Sequence, residues 1–205
     1  MKNFPAIILA GGRATRLGGG DKGLLDLGGH PILSQVIARL SPQCAPLALN
    51  ANGDPARFAT FSLPVLADDL PDHAGPLAGI LVGMEWAARQ KAEAVISVAA
   101  DTPFFPADLA RQLAKARGPS GLALAATQDG CGIAEHPTFG LWPVALRGVL
   151  RDFLLAGRRR LRDFAREHAA GQAIWPGDPQ DPFFNINTPA DLARARSLLK
   201  VAGDE

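Results

Sequence analysis

The sequence has no excess of charge of either sign. Its 205 residues carry 21 Lys and Arg against 20 Asp and Glu, which gives a formal net charge of +1. A chain balanced in this way has no global electrostatic attraction for nucleic acid or for an anionic membrane, so neither is expected as a partner. Any anionic ligand must therefore be held by a local group of basic side chains and backbone N–H groups.

Cysteine and long apolar runs are scarce as well. The only two cysteines, Cys44 and Cys131, lie far apart, and the four histidines show no metal-binding spacing. A zinc site is therefore not expected, whereas two free thiols in a reducing compartment are. No run reaches the roughly 18 apolar residues of a membrane-spanning helix, and nothing at the N-terminus is typical of a secretory signal. These features predict one cytoplasmic domain over residues 1–205.

Apolar segments of strand length alternate with segments of helical periodicity along the chain. Residues 6–10 and 94–100 are apolar without polar alternation, as in strands that are buried on both faces. The alternation predicts an α/β, Rossmann-like three-layer sandwich around a mostly parallel sheet. The predicted strands are 6–10, 47–50, 64–67, 94–100, 122–127, 138–143 and, after a stretch around Ile174, 183–186; the predicted helices are 31–40, one that begins near 54, 76–91, 108–116, 147–155, 161–168 and 189–201.

Distinctive polar groups stand at the ends of the predicted strands. A glycine-rich loop follows the first strand, and Asn50, Asp68 and Asp101 lie at or just after the ends of three others. Ligands of parallel sheets bind at the carboxyl ends of the strands, so these groups are expected to share one cleft. Asp101 is the strongest candidate, because a carboxylate that ends a buried strand is costly unless a cation compensates it. Mg²⁺ is suitable, since it takes one or two carboxylates together with phosphates and water.

The glycine-rich loop reads L-A-G-G-R-A-T-R-L-G-G-G-D-K-G over residues 9–23. Glycine lets the main chain approach a ligand closely, and successive N–H groups can cradle an anion. Arg13, Arg16 and Lys22 add positive charge, so a triphosphate fits the combination. The Walker A motif is excluded, because Lys22 is not followed by Ser or Thr.

The spacing of this loop resembles the signature L-A-G-G-x-[SA]-x-R-[ML]-G-x-x-[DN]-K of the nucleotidyltransferases with a GT-A-like fold, and specifically the MobA-type family of molybdenum cofactor guanylyltransferases. Later blocks resemble the same family in the same order. They are N-A-N at 50–52, G-P-L-A-G at 75–79 after Asp68, A-D-T-P at 100–103, E-H-P-T at 135–138, G-R-R-R at 157–160 and N-I-N-T-P at 185–189. The resemblance therefore extends over nearly the whole chain.

This resemblance implies a reaction in which GMP passes from GTP to the phosphate of molybdopterin, or of its molybdenum-loaded form, with Mg²⁺ as cofactor and pyrophosphate as the second product. It assigns catalysis to Lys22, Asp101 and Arg16, with Asp101 as the metal ligand. The N-terminal part would bind the nucleotide and the C-terminal part the acceptor. The implied nucleotide-binding residues are Leu9, Ala10, Gly11, Gly12, Arg13, Lys22, Asn50, Asp68, Gly75, Pro76, Leu77 and Asp101, including the backbone N–H groups of residues 10–12; the implied acceptor-binding residues are His136, Arg158, Arg159, Asn185 and Asn187.

Two C-terminal blocks carry further expectations. Asn185 and Asn187 alternate with Ile186, which predicts that both asparagines lie on one face of a strand near the acceptor. His136 is expected to position or pack rather than to act as a general base, because a phosphate nucleophile is already ionised near neutral pH. Besides GTP and molybdopterin, the expected partners are molybdoenzymes that receive the cofactor, or their chaperones.

Three other functions remain open. A cytidylyltransferase that acts on the same acceptor is the nearest, although L-A-G-G rather than L-A-A-G at residues 9–12 resembles the guanylyl branch. A nucleotidyltransferase for sugar phosphates or isoprenoid precursors would share the fold, but not the ending at 185–189. A non-catalytic carrier that binds GTP or molybdopterin would have no need of both Lys22 and Asp101.

Overall fold

A computed structural model describes residues 4–11, 20–70, 75–177 and 181–203 of the chain. The strands in these parts form one seven-stranded sheet. They are β1 (Ala6–Leu9), β2 (Leu47–Asn50), β3 (Val65–Leu66), β4 (Ala94–Ala99), β5 (Ala123–Asp129), β6 (Gly132–Pro143) and β7 (Gly171–Pro176). Their order across the sheet is β3-β2-β1-β4-β6-β5-β7.

The sheet is mostly parallel, which confirms the prediction from sequence. β1 pairs in parallel with β2 and β4, β2 with β3, and β5 with β7. β6 is the exception, since it runs antiparallel to both β4 and β5. Only residues 130–131 connect β5 to β6. Such a connection allows a hairpin but is far too short for the crossover that a parallel pair requires. Because β1, β2, β3 and β4 all run parallel to one another, their carboxyl ends lie together at one edge of the sheet.

Helices cover both faces of the sheet, as the three-layer prediction requires. The α-helices in the described residues are α1 (Ile32–Leu40), α2 (Pro76–Arg89), α3 (Leu109–Lys115), α4 (Arg147–Leu155), α5 (Leu161–Glu167) and α6 (Pro189–Gly203). Ile8 packs in one apolar cluster with α1, α3 and α6, whereas its neighbour Ile7 packs in a second cluster with α2, α4 and α5. Successive side chains of a strand point to opposite faces, so a strand covered on both sides is apolar throughout. None of the described helices is long and apolar enough to cross a membrane.

The strand predicted at residues 183–186 is wrong. The last strand is β7, and residues 183–186 lie outside the sheet. The alternation of asparagine with apolar residues imitates a strand pattern, but the N–H of Ile186 donates to the carbonyl of Asp101, at 2.9 Å, beyond the end of β4. Asn185 and Asn187 therefore do not share one face of a strand; Asn185 is exposed and Asn187 is half-buried.

Two glycines let α2 approach the sheet closely. A Cβ added at Gly79 would lie 2.0 Å from Asn50 Oδ1, and one added at Gly83 would lie 2.7 Å from Ile7 Cγ2. Neither distance is tolerated between non-bonded atoms in a packed interior. The last glycine of the G-P-L-A-G block is thus a packing requirement, and it places the N-terminal turns of α2 beside the end of β2.

Candidate active site

Three polar side chains meet beyond the end of β4. Lys22 Nζ lies 3.2 Å from Asp101 Oδ2 and also donates a hydrogen bond to Asn187 Oδ1. Asp101 follows β4, Lys22 opens a short 3-10 helix (Lys22–Leu24), and Asn187 precedes α6. The Lys22 and Asp101 side chains are 18% and 16% exposed, so a ligand can reach them from solvent. The structure therefore brings together three residues that the sequence singles out, and the ammonium of Lys22 supplies the charge that compensates Asp101.

The start of α6 holds the backbone at Asn187. The Asp191 carboxylate accepts the N–H groups of Asn187 and Thr188 at 3.0 and 2.8 Å, and the Thr188 hydroxyl accepts the N–H of Asp191 at 3.2 Å. This reciprocal arrangement is a capping box with aspartate as its acid. The bond from the Asn187 N–H is the main cause that holds the pKa of Asp191 below its ordinary value. The helix start thus fixes the asparagine that contacts Lys22.

A second polar group lies at the ends of β2 and β3. Asp68 accepts hydrogen bonds from Asn50 Nδ2 at 2.9 Å and from Asn52 Nδ2 at 2.8 Å, and Asn52 Oδ1 accepts the N–H of Asp68 at 2.8 Å. Asn50 Nδ2 also donates to the carbonyl of Leu66 at 3.1 Å. Both amide hydrogens of the buried Asn50 are therefore engaged. Asn50 orients Asp68, and the half-buried Asp68 carboxylate is the group that remains able to accept bonds from a ligand.

The N-terminus of α2 borders this second group. Gly75 has a φ of +71°, in the left-handed region that favours glycine, and Pro76 occupies the first helical position, where no N–H is needed. Both residues are exposed, whereas Leu77 is buried beneath them. Because Gly79 packs on Asn50, this helix start lies beside the end of β2. A helix start of this kind favours anionic or electron-rich ligand groups.

The start of the glycine-rich loop is described in part. The N–H of Ala10 donates to the carbonyl of Asn50 at 2.8 Å, and the carbonyl of Leu9 accepts the N–H of Ala100 at 3.1 Å. The Ala10 amide is therefore engaged in the sheet and is not open to a nucleotide, contrary to the expectation from sequence. Gly11 is exposed. The predicted residues Gly12, Arg13 and Arg16 lie outside the described residues.

His136 connects β6 to the segment that carries Asn187. Its Nε2 lies 2.8 Å from Thr127 Oγ1 and 3.9 Å from Asp181 Oδ1, and its ring stacks on Phe183 with the centroids 4.4 Å apart. Burial holds the pKa of His136 below its ordinary value; Asp181 opposes this effect and Arg162 adds to it. A neutral imidazole held in this way is suited to packing and positioning, and its role at the acceptor stays a prediction.

Most arginines of the basic run after α4 have local partners. Arg160 is exposed, and its side chain makes no hydrogen bond or ion pair with any described residue. The family resemblance points to Arg158 and Arg159 rather than to this neighbour, because the spacing of residues does not reveal which side chain lacks a partner among the described residues. Among the described residues, no contact joins Arg158 or Arg159 to Lys22 and Asp101. The local partners are Glu167 and the Phe153 ring for Arg158, the carbonyl of Leu154 for Arg159, and Glu135 for Arg162.

Arg57 is a residue of the site that sequence reasoning missed. It lies in a 3-10 helix, Pro55–Phe61, where the sequence predicts a helix that begins near residue 54. Its Nε donates to Asp21 Oδ2 at 2.6 Å, and its Nη2 donates to the carbonyl of Asn52 at 2.6 Å. Arg57 thus joins the chain at Lys22 to the group around Asp68. No motif marks a pair of residues that lie 36 positions apart.

The site offers oxygen ligands for one divalent cation. Within residues 4–11, 20–70, 75–177 and 181–203, no group of three or more His, Cys, Asp and Glu side chains could hold a metal ion. However, the ammonium of Lys22 marks a place for positive charge between Asp101 Oδ2 and Asn187 Oδ1. One carboxylate and one amide oxygen, completed by phosphates and water, suit Mg²⁺. The residues present therefore fit the metal that the sequence leads us to expect.

Comparisons with known proteins show which proteins this chain is similar to. The family model of the MobA-like NTP transferase domain matches residues 6–172. A molybdenum cofactor guanylyltransferase of Bradyrhizobium sp. (strain ORS 278) is 50% identical over 95% of this chain and 92% of its own length. One of Mesorhizobium japonicum is 47% identical over 97% of both chains.

Solved structures show the same fold at lower identity. Molybdopterin-guanine dinucleotide biosynthesis protein A from Archaeoglobus fulgidus has a TM-score of 0.70 at 22% identity, over 97% of this chain and 100% of that one. A nucleotidyl transferase from Methanothermobacter thermautotroptrophicus has a TM-score of 0.73 at 19% identity, over 98% of this chain and 100% of that one. The family model matches most of this chain, and relatives that are about half identical match nearly all of it. The chain therefore belongs to the MobA-like NTP transferase family.

Proposed function

We propose that the protein transfers GMP from GTP to the terminal phosphate of molybdopterin, or of its molybdenum-loaded form, and releases pyrophosphate. Relatives that are 46–50% identical are named for this activity. The observation that carries the proposal at the site is the Lys22–Asp101 pair at the end of β4. In this pair an ammonium, which suits phosphates, directly contacts a carboxylate, which suits a metal ion. The pair lies at the carboxyl edge of the sheet, where folds of this kind bind their ligands.

Lys22 is the group that would meet the triphosphate. Its ammonium would exchange Asp101 and Asn187 for phosphate oxygens, and these two side-chain oxygens would then be free to hold a cation. Asp101 and Asn187 would hold Mg²⁺ there, and the ion would supply charge neutralisation and polarise the phosphoryl group. Arg13 and Arg16 stay predictions as further phosphate ligands.

Asp68 is suited to the guanine base. Guanine presents the adjacent N1–H and N2–H donors, which a carboxylate accepts together, whereas cytosine lacks this pair. Asn50 and Asn52 already fix the orientation of the carboxylate, so little ordering is required when the base binds. This chemistry favours GTP over CTP, and the cytidylyltransferase stays the second candidate.

The chemical step needs positioning more than proton transfer. An oxygen of the acceptor phosphate bonds to the α-phosphorus of GTP while the bond from that phosphorus to the β-bridging oxygen breaks, and the electron pair leaves with pyrophosphate. The nucleophile is ionised near neutral pH, so no side chain must remove a proton. Lys22 stabilises the charge on the leaving group, and Arg160, whose side chain has no partner among the described residues, is available to the acceptor.

The proposal is tested by product identification. The protein is incubated with Mg²⁺, molybdopterin and, separately, GTP, CTP, ATP and UTP, and the products are identified by mass. We expect the guanine dinucleotide and pyrophosphate from GTP, and their loss when a chelator removes Mg²⁺. A cytosine dinucleotide would identify the cytidylyltransferase instead, and binding of GTP without any pyrophosphate release would indicate the carrier.

The product would pass to molybdoenzymes or their chaperones in the cytoplasm, where GTP is available.

A further inference from the structure

Arg57 belongs to no sequence block, yet its guanidinium lies between the two polar groups of the site. Its donors reach three different acceptors: Asp21 Oδ2 at 2.6 Å, the carbonyl of Asn52 at 2.6 Å, and the carbonyl of Asp54. The guanidinium also lies over the Phe58 ring, 4.6 Å from its centroid. A planar fork of fixed donors fits this set of acceptors, and a lysine ammonium does not.

The two ends of this link lead to different parts of the cleft. Asp21 directly precedes Lys22, so its position fixes where the backbone of Lys22 begins. Asn52 is joined to Asp68 by two hydrogen bonds of 2.8 Å. We call the surroundings of Lys22 the phosphate side and those of Asp68 the base side.

The Arg57–Asp21 ion pair is shielded from solvent well enough to keep a fixed geometry. The two side chains are 27% and 16% exposed. A freely exposed ion pair contributes little, because solvent screens it and both side chains lose freedom when they pair. Here the guanidinium is held by three acceptors and packs on the Phe58 ring, so the pair can keep the two sides of the cleft in a fixed relative position.

We propose that Arg57 is a positioning residue that fixes the phosphate side of the cleft relative to the base side. The inference rests on the proposed function, since it takes Lys22 and Asp68 as contacts of one GTP molecule. A nucleotide engages both sides at once, so a looser link lowers its affinity even though neither contact is removed. Arg57 itself touches no substrate in this role.

The test compares a whole nucleotide with a fragment. Binding of GTP and of inorganic tripolyphosphate is measured by isothermal titration with Mg²⁺ present. Arg57→Ala should weaken GTP binding about tenfold and leave tripolyphosphate, which occupies only the phosphate side, within about twofold of the wild type. Arg57→Lys keeps the charge but not the fork, and should resemble Arg57→Ala.

A mutant cycle identifies the interaction responsible. Asp21→Asn removes the same ion pair from the other end, so the double variant should bind GTP no more weakly than Arg57→Ala alone. In turnover, KM for GTP should rise in parallel, with KM for molybdopterin within about twofold of the wild type. Arg111→Ala is the matched control, because Arg111 pairs with Asp108 at 2.9 Å on the exposed surface of α3.

Thermal melting of every variant checks that it is folded, and Asp21→Asn and Arg57→Lys provide the test if Arg57→Ala melts too early. Unchanged GTP affinity in the folded variants would overturn the inference. An equal loss of tripolyphosphate binding would also overturn it, since Arg57 would then be a direct phosphate ligand. If the wild type bound no GTP, the proposed function would fall together with the inference.

Discussion

The ends of the parallel strands and the basic run after α4 hold their charges in different ways. At the strand ends, Lys22 and Asp101 are largely shielded from solvent and contact each other. In the basic run, Arg158 is exposed and pairs with Glu167 nearby, and Arg160 is exposed without such a partner in the part of the chain that the structure describes. The shielded pair keeps both charges close together until a ligand replaces one partner, whereas exposed arginines can adapt to a ligand but hold it weakly by themselves.

The largest effect is expected at Asp101. Asp101→Asn keeps the shape of the side chain but removes its charge, and it should lower the turnover of GTP about a thousandfold, as loss of preorganised electrostatic stabilisation does. The melting temperature should change little, because the amide oxygen still accepts from Lys22. Asp163→Asn is the control, since Asp163 pairs with Arg166 on the surface of α5 at 3.3 Å. Near-normal turnover in Asp101→Asn would show that the charge at the strand end matters no more to the reaction than a charge on the surface.

Close packing under the strand ends gives the next effect. Gly79→Ala places a Cβ against Asn50 and should cost about 2 kcal/mol of unfolding free energy, a typical cost of overpacking. It should also weaken GTP binding, because Asn50 orients Asp68. Gly148→Ala in α4 is the matched control: its added Cβ meets nothing within 4 Å. Denaturant unfolding of the two variants compares them, and equal stability would show that the α2 contact is not tight.

The basic run is tested by comparing two neighbouring arginines. Arg160→Ala should raise KM for molybdopterin about tenfold, the size expected for a lost charge-assisted hydrogen bond to phosphate. Arg158→Ala should change it by less than about twofold, because an exposed pair with Glu167 contributes little. KM for GTP should be unaffected in both variants. The reverse ranking of Arg158 and Arg160 would mean that pairing in the free protein does not predict which arginine binds the acceptor.

The smallest effect concerns His136. Burial lowers its pKa in the folded protein, so the unfolded chain takes up the proton first as the pH falls. The stability that follows from the neutral ring is therefore complete above the ordinary pKa of about 6.5 and decreases below it. His136→Gln should flatten the fall in melting temperature between pH 7 and pH 5. An unchanged pH dependence would show that other groups cause it.

The sequence predicts the layers of the fold better than the directions within it. Apolar runs such as the one with Ile7 and Ile8 predict a strand that is covered on both faces, but they do not predict its direction in the sheet. The antiparallel direction of β6 follows from its short connection to β5. The sequence predicts a strand at 183–186 because period-2 patterning is a local signal. The hydrogen bond from Ile186 to Asp101 that replaces sheet pairing is a long-range contact.

The site shows the same limit. Lys22 and Asp101 could be placed together from sequence, because the ends of parallel strands meet at one edge of a sheet. Three features could not be predicted, because each depends on which distant group occupies a donor. They are the engagement of the Ala10 amide, the lack of a partner for Arg160 within the described residues, and the link through Arg57. Sequence patterns identify candidate residues, whereas the structure shows which of their hydrogen bonds are already used.

A crystal structure of the complex with GTP and Mg²⁺ tests the central claim most directly. We predict that Lys22 Nζ leaves Asp101 and Asn187 for phosphate oxygens, that the metal binds Asp101, and that guanine faces Asp68. A nucleotide bound elsewhere, with Lys22 still paired to Asp101 and Asn187, would contradict it.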